Sequence, residues 1–128
     1  MQRAAGTVIL TRDSILMVRR RDGRIGIPGG KCNECTDGRW EEFEDAAIRE
    51  TYEETGYVVN LLDEGLVTYN LDNERTRFHS FEATIVAGSL RASPEGQPFW
   101  LRRSILRNLP GILAFPEWTK IAIHHYGI

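Results

Sequence analysis

Glu50, Glu53 and Glu54 stand at i, i+3 and i+4 in the run Arg49-Glu50-Thr51-Tyr52-Glu53-Glu54-Thr55-Gly56-Tyr57. At about 100° per residue on an α-helix they fall within about a 100° arc. Phe43, Ala46 and Ala47 share that arc, which predicts that all three carboxylates point along the packed side. Carboxylates crowded and stripped of water are costly unless a cation compensates them. The oxygen donor set calls for Mg²⁺ or Mn²⁺, and such an ion is suited to phosphate chemistry. Arg49 can pair with one of these carboxylates and orient it. The alternative is a solvated acidic face carrying an ordinary Arg49–Glu53 pair, worth a few tenths of a kcal/mol (about 0.2–0.5).

Upstream, Pro28-Gly29-Gly30-Lys31 precedes the helix, and Glu41 lies seven residues before Arg49. The two glycines let the backbone come close to a metal or a phosphate. Glu41, Arg49, Glu50, Glu53, Glu54 and Gly56 together resemble the Nudix box, matching it in type and in mutual spacing. Thr51 and Tyr57 stand where that family prefers aliphatic residues, and both can still pack. Ten residues separate Gly30 from Glu41 where the family has five, so Lys31 to Trp40 holds an insertion. It is expected to be a loop beside the catalytic mouth.

The resemblance implies a catalytic set of Glu50, Glu53, Glu54 and Arg49. It implies a metal set of Gly30, through a loop carbonyl, with Glu50, Glu53 and Glu54. Glu41 is expected to be structural. Glu95-Gly96-Gln97-Pro98 followed by an aromatic residue is similar to a loop of MutT-type members, and makes Glu95 a distal metal ligand. Glu82 and Glu74 are the other candidates for that place. Lys31, Arg19 and Arg21 are candidate phosphate contacts, because guanidinium and ammonium groups suit phosphate oxygens. A solvated hairpin end is the alternative for the arginines.

Cys32 and Cys35 form a lone Cys-x-x-Cys. A zinc site normally needs four ligands, so the pair is read as incidental loop cysteines. Phe78, Phe81, Trp100 and Trp118 are read as core, with one of them or Tyr69 able to sandwich a base.

The elements that must position these groups follow from pattern. Strands are expected over 4–10 and 15–20, joined as a hairpin by a turn at 11–14. Residues 27–30 should break any regular element. The helix is expected over 41–55, ending at Gly56. Strands follow over 58–62, 66–69, 76–86 and 99–101, with a loop at 87–98 and a final helix over 116–126. This order predicts an α+β fold, which the resemblance makes an α/β/α sandwich with a mixed sheet.

A chain of 128 residues suits one domain, here residues 1–128. Its charged fraction of 27% and hydrophobic fraction of 41% are ordinary for a soluble protein. A net charge of −2 gives no global pull toward nucleic acid. No apolar run reaches a membrane span and no signal peptide is evident, so the cytoplasm is expected. The expected activity is metal-dependent cleavage of a phosphoanhydride bond in a nucleoside diphosphate derivative, by a monomer or homodimer. A MutT-like triphosphate pyrophosphohydrolase is favoured, releasing a nucleoside monophosphate and pyrophosphate. An ADP-ribose-type pyrophosphatase and a non-catalytic nucleotide sensor are the rivals. The sensor reading is disfavoured because every box carboxylate is kept.

Overall fold

The computed structural model describes residues 2–69, 76–106, 108 and 124–128, with only the backbone of 68 and 69. Eight strands and two helices are assigned among them. They are β1 (Gln2–Ile9), β2 (Ser14–Arg20), β3 (Ile25–Gly26), β4 (Gly29–Lys31), α1 (Phe43–Thr55), β5 (Tyr57–Leu61), β6 (Leu66–Tyr69), β7 (Thr76–Gly88), β8 (Gly96–Arg102) and α2 (Arg103–Leu106).

One sheet has the order β4-β1-β7-β5, with β6 also paired to β7. Its central pair, β1 and β7, is parallel from Gln2↔Thr76 to Ile9↔Ala83, and its other pairs are antiparallel. The second sheet is β3-β2-β8, antiparallel throughout. The expected 4–10/15–20 hairpin is therefore corrected. Leu10↔Ile15 is the single bridge joining those strands, after which the chain enters the other sheet. Alternation in β2 explains this. Ile15 and Met17 serve one core cluster, and Leu16 serves another.

Helix α1 packs on the larger sheet through small residues. Phe43, Ala46 and Ala47 meet Ala5, Cys32 and Phe81. Burying a large apolar side chain such as Phe81 contributes about 1.5–3 kcal/mol. Buried hydroxyls of Thr7 and Thr51 hydrogen-bond at 2.7 Å across the same interface. Ile48 joins a cluster with Leu16 and Trp100 of the second sheet, so the helix touches both sheets. On the opposite face of β1, Val8 packs with Leu106 and Ile128. There the Tyr126 hydroxyl donates to Asp63 Oδ2 at 2.9 Å or to the Ser80 carbonyl at 3.0 Å.

The helix begins at Phe43, with Glu42 as N-cap, two residues later than expected. It ends on Gly56, whose φ of 84° is the left-handed cap. Residues 29–31, expected to be irregular, form β4 against β1. A Cβ at Gly29 would lie 2.6 Å from the Ala5 carbonyl oxygen, so the glycine permits the pairing rather than breaking it. Most of the expected C-terminal helix, including Trp118, lies outside the described residues, as does Glu74; residues 124–126 are helical. The side chain of Tyr69 lies outside them too. No helix among the described residues is long and apolar enough to cross a membrane. The architecture is α+β with a mixed sheet.

Candidate active site

Helix α1 presents Glu50 and Glu54 on its buried side, at 8% and 2% exposure. Glu95 reaches them from the exposed turn that leads into β8. Oxygen atoms of these three carboxylates all lie within 4.8 Å of one another, an arrangement able to hold a metal ion. Strand β4 closes one side. The Gly29 amide donates to Glu54 Oε1 at 2.6 Å. A Cβ on Gly30 would sit 2.6 Å from Glu50 Oε2, so the chain can pass this close to the carboxylate only without a side chain.

Arg49 organises the neighbouring acids. Its Nε and Nη2 donate to the two Glu41 oxygens at 2.9 and 2.8 Å, a bidentate pair. Its Nη1 donates to Glu50 Oε1 at 2.9 Å and to Glu53 Oε2 at 3.1 Å. Its Nη2 also reaches the Lys31 carbonyl at 3.0 Å, tying the helix to β4. Glu53 lies outside this trio, with its side chain 50% exposed. The expectation that all three helix acids face the packed side is thus corrected. Glu53 falls at the edge of the arc, where Arg49 draws it outward.

The electrostatics follow from burial. Desolvation pushes the Glu54 carboxyl up to about 8, with Glu95 and Glu50 adding to the rise and the Gly29 amide opposing it. Desolvation raises Glu50 as well, against the pull of Arg49. Glu41 goes the other way, held below its usual range by the Arg49 hydrogen bonds. Arg49 is itself raised, first by Glu41. Among the described residues, Glu54 accepts one amide hydrogen bond and pairs with no guanidinium, so its ionised form calls for a divalent cation to offset it. Carboxylate oxygens suit Mg²⁺ or Mn²⁺.

The other candidates scatter. Lys31 is exposed, and its carbonyl is the part engaged by Arg49. Arg19 lies 5.7 Å over the Phe99 ring. Arg21 Nε donates to the Pro94 carbonyl at 2.6 Å, bracing the turn that carries Glu95. Glu82 stands apart, its amide donating to Asp63. The inserted segment forms a small finger with a Glu34↔Trp40 bridge. Its base is stitched by Asn33 N–H to Glu41 Oε1 at 3.0 Å and by Glu41 N–H to the Asn33 carbonyl at 2.8 Å. Cys32 follows directly on β4, outside any strand or helix. It is buried against α1, and burial pushes its thiol up, while Cys35 is exposed on the finger.

Sequence reasoning missed Arg91. Its amide donates to the Thr55 carbonyl at 3.0 Å and its Nη2 to the Tyr52 carbonyl at 3.2 Å. Its guanidinium lies 5.0 Å over the Tyr52 ring. It supplies the positive charge that the last turn of α1 lacks. It also anchors the segment leading to Glu95. No local pattern marks such a contact.

A family model described as the NUDIX domain matches residues 1–114. A NUDIX hydrolase from Nitrosomonas europaea superposes with a TM-score of 0.76 at 19% identity, covering 98% of this chain and 89% of that one. The MutT protein from Methanosarcina mazei Go1 gives 0.71 at 22% identity, over 94% of each chain. An ADP-ribose pyrophosphatase from Streptococcus suis 89-1591 gives 0.64 at 23% identity, over 80% of this chain and 75% of that one. No curated protein matches the sequence. The family match over most of the chain, on a scaffold that gathers the box carboxylates beside a Gly-Gly strand, leads to one assignment: the chain belongs to the NUDIX domain family, as a Nudix hydrolase.

Proposed function

We propose that this chain hydrolyses a phosphoanhydride bond in a nucleoside triphosphate, giving a nucleoside monophosphate and pyrophosphate, with Mg²⁺ or Mn²⁺. The observation that carries the reading is the Glu50–Glu54–Glu95 cluster against Gly29 and Gly30. The MutT protein among the structural neighbours favours the triphosphate.

Glu50, Glu54 and Glu95 would hold the cation, with the Gly30 carbonyl as a further oxygen. When bound, the ion would offset phosphate charge and acidify a coordinated water. Arg49 fixes Glu50 from one side, and Glu41 fixes Arg49. The Gly29 amide orients Glu54. Glu53, exposed at the rim beside Arg49, is the candidate to take a proton from attacking water. Lys31 and Arg19 remain the candidate phosphate contacts. Two free cysteines suit a reducing compartment, and we read the cytoplasm as the location.

The test is a hydrolysis panel of deoxynucleoside and ribonucleoside triphosphates, ADP-ribose and dinucleoside polyphosphates, with each metal, resolved by chromatography. The reading expects pyrophosphate and monophosphate from a triphosphate. Turnover of ADP-ribose with all triphosphates inert would replace it with the pyrophosphatase alternative, which the Streptococcus suis neighbour represents.

A further inference from the structure

The far end of α1 holds a second group of charges that the carboxylate centre does not use. Arg3 and Arg77 are direct partners in the parallel β1–β7 register, and Ala5 pairs with His79 one step on. Alternation puts Arg3, Arg77 and His79 on the face that α1 covers. All three gather on one ring. His79 stacks on Phe43 with centroids 3.7 Å apart and planes 9° apart. The Arg3 guanidinium lies 4.4 Å from the centroid of the same ring and that of Arg77 5.7 Å.

Two guanidiniums side by side on adjacent strands repel, and a cross-strand pair of like charge is destabilising. Among the described residues, no ion pair reaches Arg3 or Arg77. The nearest acids in sequence on α1, Glu44 and Asp45, are exposed in its first turn. Arg77 Nε and His79 Nε2 are buried without a hydrogen-bond partner among the described residues. Buried nitrogens of this kind are rare, and a missing water or ion is a standard explanation. Burial and the two arginines hold the imidazole below its ordinary range, so the ring adds a polar group and no compensating charge. Arg3, Arg77 and His79 are each only partly buried, so solvent and small solutes can reach the group. Phe43 precedes Glu50 by two helical turns, about 10 Å along the axis, which separates this cluster from the carboxylates.

We infer that Arg3, Arg77 and His79 form a second anion site, one that takes a phosphate-type oxyanion at the N-terminal end of α1. Guanidiniums offer paired N–H donors matched to phosphate oxygens, and both lie within cation–π reach of the Phe43 ring. The oxyanion can come from free phosphate or from a phosphomonoester such as a nucleoside monophosphate.

The experiment uses the full chain with chelator, so that no metal draws phosphate to the carboxylate centre. Inorganic phosphate is titrated at constant pH and ionic strength against chloride, and the His79 ring resonances are followed. A parallel titration with AMP separates the two sources, the tighter of the two being the preferred form. A saturable His79 shift is expected. Arg77→Gln and Arg3→Gln should each weaken it at least ten-fold, while turnover with metal stays within two-fold of the parent. If one variant fails to fold, the other carries the comparison. The absence of a saturable His79 shift in the parent protein overturns the site, as does unchanged affinity in a folded arginine variant. Either result leaves the hydrolase reading untouched, because that reading is tested by turnover.

Discussion

Gly30→Ala isolates the contact between β4 and the carboxylate centre. Gly30 is not among the positive-φ glycines, so alanine meets no backbone penalty. The cost is steric. The new Cβ would lie 2.6 Å from Glu50 Oε2 and 2.7 Å from Oε1. Reaching ordinary contact near 3.4 Å requires a movement of about 0.8 Å. Glu50 is pinned by Arg49 at 2.9 Å, so it cannot swing away without disturbing Arg49 and its Glu41 partner. Misplacement of a reacting group by about 1 Å costs roughly 10²-fold, equivalent to about 2.7 kcal/mol of transition-state stabilisation. The substitution should therefore lower kcat/KM by roughly 10²-fold on the best substrate of the panel. The melting temperature should fall only slightly, because the obstacle is a side-chain end. Gly23→Ala is the control: it has open space around it but a φ of 87°, so it should cost stability and spare turnover. Activity in Gly30→Ala within two-fold of the parent, at saturating metal, would refute the claim that this approach shapes the site.

Three further outcomes follow from the same geometry. Glu54 is raised to about 8 in the fold against an ordinary value of 4.5, so the folded state holds the extra proton between those values. Its contribution to metal-free stability is complete below pH 4.5 and is lost as pH rises through 8. Melting curves in chelator should show that decline, Glu54→Gln should flatten it, and an unchanged slope in the variant would count against the assignment. Glu95→Gln should cost about ten-fold in kcat, about 1.4 kcal/mol, with Glu82→Gln silent; the reverse pattern would move the distal carboxylate to β7. Arg91→Ala should lower kcat by less than Glu95→Gln and also lower the melting temperature, since it removes the guanidinium from the Tyr52 carbonyl and ring at the end of α1. Loss of stability with full turnover would show that Arg91 caps the helix without placing Glu95.

What the sequence could reveal depended on whether the signal was local. Helix α1 was legible because apolar spacing, acidic first-turn residues and Gly56 all lie within one segment. The long β7 was legible from its alternation. Pairing was not: alternation says which face a residue uses, not which sheet its strand joins, so β1 and β2 read as a hairpin. Gly29 and Gly30 read as breakers because glycine permits both a turn and a close approach, and only the partner strand decides. Glu95 came into view through a resemblance in its loop rather than through any spacing to Glu50. Arg21 and Arg91 bind backbone carbonyls 73 and 39 residues away, and such acceptors leave no mark on a sequence. Glu53 was misplaced because a 100° arc is wide enough for its edge to reach solvent, and Arg49 holds it there. The burial of Cys32 was not legible because the insertion hides where packing against α1 begins.

The most direct test of the central claim is an anomalous difference map from Mn²⁺-soaked crystals of the active protein. The account predicts an ion within about 2.2 Å of carboxylate oxygens from Glu50, Glu54 and Glu95, and its loss in Glu50→Gln/Glu54→Gln. An ion bound elsewhere, with the three glutamates empty in a protein that still turns over substrate, would contradict it.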